Sequence, residues 1–269
     1  MQSVIDFYEK YNEESRLTTD NARKIEFIIT TRTLDNYIKP AYTVLELGAG
    51  TGIYSIYYAE KGNKVVATDI TPKHVELIQE KVVKRNGVPL DLEAKIANAT
   101  NLGEFESEAF DVVLCLGPLY HLINETDRVK CIQESLRVLK RGGLLVVAYI
   151  NKHYILHSVM LNNKKYLTNK FIDKMLRTGV IRDGEEECFW TDAFFTTPEE
   201  MISLLENFEV EIIDHLASDG FSPFLGKYLN TFETDEVDTW VHYIENSCRE
   251  KSILGISNHA LLICQKCME

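Results

Sequence analysis

The feature that most limits the fold of this chain is a regular alternation of short apolar runs with helical segments between residues 42 and 150. The runs are rich in Val, Leu and Ile without a polar residue at every second position, which indicates strands buried on both faces of a sheet. They cover residues 43–48, 64–70, 92–98, 110–117 and 144–150, and helical periodicity occurs between them, as at 53–61, 74–85 and 127–140. Strands that alternate with helices predict parallel βαβ units with right-handed crossovers, and therefore an α/β fold.

Three further regions surround the predicted core of residues 41–150. Residues 1–40 predict a helical cap, and residues 151–197 predict a helical lid insertion after the fifth strand. The C-terminal part, 198–269, contains a helix that begins after Thr197, strands at 208–216 and 258–265, and a second helical insertion at 217–257. Because open α/β sheets bind ligands at the carboxyl ends of their strands, we expect the insertions to form a lid and a pocket there.

A glycine-rich turn, ELGAGTG at residues 46–52, follows the first predicted strand. Glycines let the backbone turn sharply against a ligand, and the next helix offers free N–H groups. Asp69 ends the second strand, where a carboxylate can accept both hydroxyls of a ribose. A dinucleotide fingerprint needs a glycine in place of Ile53, and Glu46 suits an ammonium group better than a pyrophosphate. S-adenosylmethionine is a ligand with a ribose, no phosphate and a cationic amino-acid end, so it fits these residues. A nicotinamide dehydrogenase is a less favoured alternative function for the chain.

Five motifs follow one another in order: ELGAGTG (46–52), VVATDI (65–70), ANATNL (97–102), FDVVLCLGPLYHL (110–122) and LRVLKRGGLLVV (136–147). In this order they resemble the motifs of the class I S-adenosylmethionine-dependent methyltransferases, over residues 40–150. The resemblance implies a doubly wound, mostly parallel seven-stranded Rossmann-like sheet with an antiparallel last strand. GPLYHL (117–122) and YNEESRL (11–17) resemble a bacterial subgroup that is assumed to act on small molecules.

The resemblance also implies which residues bind the cofactor. The methionine end is assigned to Glu46, Gly48, Ala49 and Gly50, the ribose to Asp69, the adenine to Ile70, Asn98 and Ala99, and backbone near the amino group to Leu116 and Gly117. The family often has Asp where this chain has Asn98, but an amide can still contact adenine through either end. Tyr11 and Arg16 are expected to close over the cofactor, unless they belong to an ordinary amphipathic helix with a solvated Arg.

The methyl acceptor is expected to offer an O or N atom, and proton removal from that atom needs a base. His121 follows the fourth strand and is a candidate for this base, because His titrates near neutral pH. Its alternative role is to fix the loop by hydrogen bonds. His121 is also expected to contact the acceptor. Further aromatic and histidine side chains are expected to bind the acceptor, or else to pack the lid: Tyr120, His153, Tyr154 and Trp190.

The formal charge, −12 from 29 basic and 41 acidic residues, argues against nucleic acid as a partner. Apolar runs stay far below the ~20 residues of a membrane span, and the first residues lack a signal-peptide pattern. We therefore expect a cytoplasmic protein with a small-molecule acceptor. The CxxC at 264–267 has no second ligand pair, so no metal is expected. A non-catalytic S-adenosylmethionine-binding protein and a protein or RNA methyltransferase remain alternatives.

Overall fold

The computed structural model describes residues 1–85, 87 and 89–268. Its strands are β1 (Thr43–Leu47), β2 (Lys64–Asp69), β3 (Leu92–Ile96), β4 (Phe110–Cys115), β5 (Leu139–Ile150), β6 (Val180–Ile181), β7 (Ala193–Phe194), β8 (Val210–Ala217) and β9 (His259–Lys266). Seven of them form one central sheet in the order β3-β2-β1-β4-β5-β9-β8. The five strands β1 to β5 pair in parallel, and β9 runs antiparallel to both β5 and β8. The predicted seven-stranded, mostly parallel sheet with an antiparallel last strand is confirmed.

The strand order reverses between β1 and β4, and this reversal determines where a ligand can bind. Right-handed crossovers on either side of such a point place the connecting helices on opposite faces of the sheet. They also leave a crevice between the loops that follow β1 and β4. Because β9 is antiparallel, its first residue, His259, pairs with Ile150 at the same edge as the carboxyl ends of β1 to β5.

Helices cover the sheet and build the segments around it. They are α1 (Gln2–Tyr8), α2 (Asn21–Leu34), α3 (Ile53–Glu60), α4 (Pro72–Lys84), α5 (Glu125–Val138), α6 (Lys152–Asn162), α7 (Asn169–Thr178), α8 (Pro198–Leu205), α9 (Gly226–Leu229), α10 (Thr234–Ser247) and α11 (Lys251–Leu254). α3 and α4 pack against β2 and β3, and α5 packs against β4 and β5. None of the helices in the described ranges has the length and apolar character needed to cross a membrane.

Local sequence explains where several helices begin. The Thr197 hydroxyl accepts from the backbone N–H of Glu200, whose carboxylate accepts from the Thr197 N–H, so a capping box starts α8 as the Thr-Pro signal predicted. α4 begins with Pro72 and buries His74, Val75 and Ile78 on one face. The apolar spacing of that face orients the helix on the sheet.

The predicted end of the fifth helix is wrong. Residues 127–140 were expected to be helical, but α5 ends at Val138 and β5 already begins at Leu139. Leu139 pairs with Phe110, and the register then shifts before Val112 pairs with Leu144. The two glycines 142–143 therefore lie inside a long strand with an irregular register, not in a turn before a short one.

The segment 151–197 contains α6 and α7 together with a small antiparallel ladder that the sequence did not indicate. β6 and β7 have two residues each, and Val180 pairs with Phe194. Gly179, with φ +60°, caps the C-terminus of α7. Glycine is required at this position because a Cβ would lie 1.8 Å from the Phe195 carbonyl oxygen. A strand of two residues is too short for a period-2 pattern, so this ladder follows from tertiary packing.

Candidate functional site

Two adjoining cavities open at the carboxyl edge of the parallel strands. The first cavity, of about 130 Å³, lies over the ends of β1, β2 and β4, where the strand order reverses. The second cavity, of about 500 Å³, lies among the N-terminal segment, the lid and the start of β9. Tyr8, Arg16 and Tyr120 line both cavities. Ligands in the two cavities would therefore be neighbours, separated by these three side chains.

The glycine loop after β1 lines the first cavity in a left-handed conformation. Gly48 and Gly50 have φ values of +64° and +55°, which L side chains rarely adopt. A Cβ at Gly48 would lie 2.9 Å from the Pro118 side chain, and one at Gly50 would lie 3.3 Å from Glu13. Both the turn and the close approach of neighbouring segments thus require glycine here.

Asp69 is buried at the end of β2, with its carboxylate fixed by backbone groups. Its Oδ2 accepts from the Gly50 N–H and its Oδ1 from the Thr71 N–H, both at 2.8 Å. His74 lies beside it, with Nδ1 at 3.4 Å from Oδ1. Neither ring nitrogen of the buried His74 has a hydrogen-bond partner in the described part of the chain. Since each Asp69 oxygen keeps a second lone pair, Asp69 and His74 together can still bind ligand hydroxyls.

Glu46 is 2% exposed at the end of β1, and its carboxyl accepts a hydrogen bond from the Ser55 hydroxyl. Burial raises the pKa of Glu46 to about 8, and the Ser55 hydrogen bond offsets only part of this effect. An ionised carboxylate at this depth needs a cationic partner. The first cavity therefore offers a place for an ammonium group at Glu46.

The residues expected around an adenine line the first cavity: Ile70, Asn98 and Ala99. Leu116 and Gly117, expected to supply backbone near the amino group, line it as well. Asn98 Oδ1 accepts from both the N–H and the hydroxyl of Thr100, each at 3.0 Å. Its oxygen is thus used within its own turn, and its NH₂ group is the part it can offer to a ligand. An Asp side chain at this position would have offered a hydrogen-bond acceptor to the ligand.

Arg16 belongs to a network of charged side chains between the two cavities and is not a solvated surface residue. Its Nε donates to Glu13 Oε1 at 2.7 Å, and its Nη1 donates to Glu26 Oε2 at 3.1 Å. Burial opposes the charge of Arg16, but Glu26 and Glu13 raise its pKa well above the ordinary value. The second carboxylate oxygen of Glu13 is buried and has no hydrogen-bond partner among the described residues. Tyr11, expected at the cofactor, lines the second cavity and not the first.

His121 uses both ring nitrogens in hydrogen bonds. Nδ1 lies 3.0 Å from the Asp192 carbonyl oxygen, so Nδ1 carries the proton, and Nε2 accepts from the Tyr8 hydroxyl at 3.0 Å. Burial lowers the pKa of His121 to about 4. The imidazole therefore links the turn after β4 to the N-terminal helix and to the lid.

Of the five side chains expected to bind an acceptor, three line the second cavity: Tyr120, Tyr154 and Trp190. His121 lines the first cavity instead. The Tyr120 and Trp190 rings stack with centroids 6.1 Å apart. His153 lines neither cavity, which corrects that expectation. The reason is helical geometry, because neighbouring residues of α6 project about 100° apart and Tyr154 takes the inward direction.

The sequence did not indicate several residues that the fold brings to the cavities. His74 appeared only as part of a helical pattern, although it stands beside Asp69. Glu26, Asp219 and His259 meet at the second cavity from α2, the segment after β8 and the start of β9. One signal for His259 was available, since the first residue of an antiparallel strand lies at the edge where the parallel strands end.

Residues 45–147 match the protein family described as methyltransferase domain. The whole fold is similar to a solved S-adenosylmethionine-dependent methyltransferase from Methanosarcina mazei, with a TM-score of 0.62 and 22% identity, over 88% of this chain and 98% of that one. Residues 45–147 are thus similar to a methyltransferase domain, and the chain has the Rossmann-like fold of the class I S-adenosylmethionine-dependent methyltransferases. The methyl donor of that class is S-adenosylmethionine, the cofactor expected from the glycine loop and Asp69.

Curated relatives include both N- and O-methyltransferases. A glycine/sarcosine/dimethylglycine N-methyltransferase of Actinopolyspora halophila is 24% identical over 253 residues, which are 91% of this chain and 41% of that protein. An erythromycin 3''-O-methyltransferase of Saccharopolyspora erythraea is 35% identical over 109 residues, 40% of this chain and 34% of that protein. The chain thus spans less than half the length of either relative.

Proposed function

We propose that this chain, whose residues 45–147 match a methyltransferase domain, transfers a methyl group from S-adenosylmethionine to an O or N atom of a small molecule by in-line displacement. The observation that carries the proposal is the pairing of Glu46 with Asp69 in one cavity, on either side of a left-handed glycine loop. This set of groups suits an ammonium and a ribose and offers no cradle for a pyrophosphate.

The residues of the first cavity fit the cofactor in chemistry. Glu46 would pair with its ammonium, and Asp69 with His74 would bind the ribose hydroxyls. Buried polar atoms without partners, on His74 and on Glu13, are explained if a ligand occupies this cavity. When bound, S-adenosylmethionine supplies a methyl group on a positively charged sulfur. The protein's main task is then orientation, which can lower a barrier by about 7–11 kcal/mol.

A small molecule in the second cavity is the proposed acceptor. Its aromatic lining, which includes Tyr154 and Trp190, suits a compact organic molecule, and Tyr120 separates it from the first cavity. The curated relatives are named for N-methylation of glycine, sarcosine and dimethylglycine and for O-methylation of erythromycin. The formal charge of −12 disfavours nucleic acid. We keep the small-molecule subgroup suggested by GPLYHL as part of this proposal.

Of the two roles open to His121, the hydrogen bonds support the structural one. Its Nε2 is occupied by the Tyr8 hydroxyl, and its Nδ1 by a backbone carbonyl. A base whose pKa lies near 4 removes protons weakly at neutral pH. We therefore propose that His121 positions Tyr8 between the cavities.

Calorimetric titration with S-adenosylhomocysteine, with NADH in a parallel experiment, tests the cofactor. We expect S-adenosylhomocysteine to bind and NADH to show no heat. Asp69→Asn should weaken this binding about 10- to 100-fold, since hydrogen bonds to a charged group contribute about 1.5–3 kcal/mol. Asp235→Asn, an exposed substitution in α10, is the matched control and should bind like the parent chain.

The outcomes separate the competing functions. Binding of NADH alone would reinstate the dehydrogenase. Binding of S-adenosylhomocysteine without methyl transfer to any amine, alcohol or phenol in an acceptor screen would favour a non-catalytic binding protein. If Asp69→Asn binds as tightly as the parent chain, the ribose assignment is wrong.

A further inference from the structure

The second cavity contains an aspartate–histidine pair that the methyltransferase core does not include. His259 Nδ1 lies 2.9 Å from Asp219 Oδ2. Asp219 is 2% exposed, and its other oxygen accepts from the Ser257 hydroxyl at 2.6 Å and from the His259 N–H at 3.0 Å. Three hydrogen bonds therefore fix the carboxylate, and the carboxylate fixes the imidazole.

The surroundings assign the proton of His259 to Nδ1. This nitrogen faces a second carboxylate, Glu26, whose Oε2 is 3.3 Å away. The Asn258 side-chain Nδ2 lies 2.9 Å from Nδ1. Because a nitrogen between two carboxylates is a donor, we assign this amide in the flipped orientation, with its oxygen toward Nδ1. Nε2 forms no hydrogen bond with the described residues, and His259 lines the second cavity. The free lone pair of the imidazole is thus on Nε2, the ring nitrogen that can bind a ligand.

A chain of contacts joins His259 to the first cavity. Glu26 links His259 to the Arg16 guanidinium, and Arg16 continues to Glu13. Glu13 in turn lies against Gly50 of the glycine loop. The pair therefore belongs to the cavity beside the cofactor and not to a remote surface.

We propose that His259, oriented by Asp219, is the general base that takes the proton from the methyl acceptor; this rests on the proposed function. In the step, the acceptor lone pair forms a bond to the methyl carbon, and the carbon–sulfur bond breaks with its electron pair going to sulfur. The acceptor proton passes to Nε2, and the imidazolium later releases it to water. The acceptor must therefore carry a proton on the reacting atom, as a hydroxyl or a primary or secondary amine does.

Comparison of the two histidines supports this assignment. Both ring nitrogens of His121 already form hydrogen bonds, one of them to a neutral backbone carbonyl. Nδ1 of His259 instead faces two carboxylates. Burial opposes protonation of His259, but Glu26 and Asp219 together outweigh both burial and Arg16, so its pKa lies above the ordinary value. A raised pKa makes the neutral imidazole a stronger proton acceptor. The same carboxylates stabilise the imidazolium that the step produces.

The same three side chains, Glu26, Asp219 and His259, lie close enough to ligate a metal ion. The Arg16 guanidinium argues against that use, because it already neutralises Glu26 at 3.1 Å and would repel a cation beside it. Asp219 is likewise committed to hydrogen bonds with Ser257 and the backbone. We therefore infer that this cluster of Glu26, Asp219 and His259 binds a proton and not a metal ion.

The test uses the full chain, labelled with ¹⁵N-histidine and saturated with S-adenosylhomocysteine, and follows each imidazole by NMR across pH. We expect His259 to titrate above pH 6.5 with its proton retained on Nδ1, and Asp219→Asn to lower its proton affinity at least tenfold. Glu26→Gln should shift the titration in the same direction, and it provides a second variant if Asp219→Asn fails to fold. Asp238→Asn, exposed in α10, should leave the titration unchanged.

Reaction with diethylpyrocarbonate, read by mass spectrometry, gives an independent measure of access to Nε2. His259 should be modified at a rate that follows its deprotonation, and the corresponding peptide should stay unmodified in His259→Gln. His242, exposed in α10, is the internal reference. Occupation of the second cavity by an acceptor should slow modification of His259 but not of His242.

The outcomes distinguish this inference from the proposed function. If S-adenosylhomocysteine does not bind, the proposed function fails. If it binds while His259 titrates at or below pH 6.5, responds to neither carboxylate variant, or resists modification, only the base is wrong. If Zn²⁺ alone binds at micromolar concentration and shifts the His259 resonances, the cluster is a metal site and the dyad is overturned.

Discussion

Glu46 lies at the end of β1, where the Ser55 hydroxyl is its hydrogen-bond partner and no cationic side chain of the described residues pairs with it. Its pKa of about 8 means that the carboxyl is mostly protonated at pH 7. An ammonium group placed against it favours the ionised form, so the pKa falls when the ligand binds. The residue therefore couples ligand binding to the release of a proton.

We predict that binding of S-adenosylhomocysteine at pH 7 releases close to one proton from the parent chain and none from Glu46→Gln. The affinity of the parent chain should rise about tenfold per pH unit from 6 to 8, because ionised Glu46 is the binding form. Glu46→Gln should bind about 10- to 100-fold more weakly, without this pH dependence. Calorimetry in buffers of different ionisation enthalpy measures the proton, and Glu80→Gln on the surface of α4 is the control. Equal proton release in both chains would contradict the assignment.

At the scale of residues, the first cavity was far more predictable than the second. Glu46, the glycine loop and Asp69 are close in sequence and share a strand–turn–helix context, so a local pattern reveals them. Glu26, Asp219 and His259 come from three distant segments, and only the folded sheet brings them together. A single sequence contains no local signal for such a meeting.

The N-terminal segment, residues 1–19, forms one wall of the first cavity through α1 and the turns after it. It is attached by hydrogen bonds from Ser3 to Asp192 and from Tyr8 to His121, and by the Arg16 network. The volume of the first cavity, about 130 Å³, is small beside the ~300–1,000 Å³ of typical ligand pockets. We therefore expect a ligand of the size of S-adenosylmethionine to move this wall as it enters and leaves.

We predict that Ser3→Ala with Tyr8→Phe speeds both association and dissociation of S-adenosylhomocysteine, and dissociation by about tenfold or more. Two hydrogen bonds of about 0.5–1.5 kcal/mol each hold the segment closed in the parent chain. Trp190, with its ring 6.4 Å from that of Phe7, reports the motion in stopped-flow fluorescence. Gln2→Ala, which removes an exposed side chain of the same helix, is the control. Unchanged rates in the double variant would show that the wall is not the gate.

Among the elements, those with a long pattern were predicted and those without one were missed. The capping signal at Thr197 placed the start of α8 correctly. The start of β5 was missed because helical periodicity runs on to Lys140, while pairing with Phe110 decides the actual structure. The β6–β7 ladder, with two residues in each strand, has no period to detect.

At the scale of the whole molecule, the apolar runs were enough to predict the sheet, because a strand buried on both faces has little freedom in its composition. The antiparallel direction of β9 was predicted from the family resemblance and not from the periodicity of the sequence. The position of the second cavity depends on how the cap, the lid and the C-terminal strands converge at one edge. That convergence is tertiary, so the acceptor's surroundings were not predictable from the sequence.

Buried acids and bases give the whole molecule a predictable stability profile. His121 and His215 have pKa values lowered to about 4 by burial, so the unfolded chain binds more protons than the folded one between pH 6.5 and 4. Their contribution is complete above pH 6.5 and is lost as the pH falls. Glu46 acts in the opposite sense, because its folded pKa is raised. Its contribution is complete below pH 4.5 and is lost as the pH rises toward 8.

We therefore predict that the free energy of unfolding of the ligand-free chain is highest near pH 6.5. Each group changes it by up to about 1.4 kcal/mol per pH unit inside its window, so the two histidines outweigh Glu46 on the acid side. Above pH 6.5 Glu46 acts together with His259, whose raised pKa gives a contribution of the same sign. Urea unfolding at a series of pH values measures the profile. His215→Gln, in which Tyr149 keeps a hydrogen-bond partner, should flatten the acid side, and Glu46→Gln should flatten the alkaline side. A maximum that stays equally sharp in both variants would mean that the profile comes from other groups.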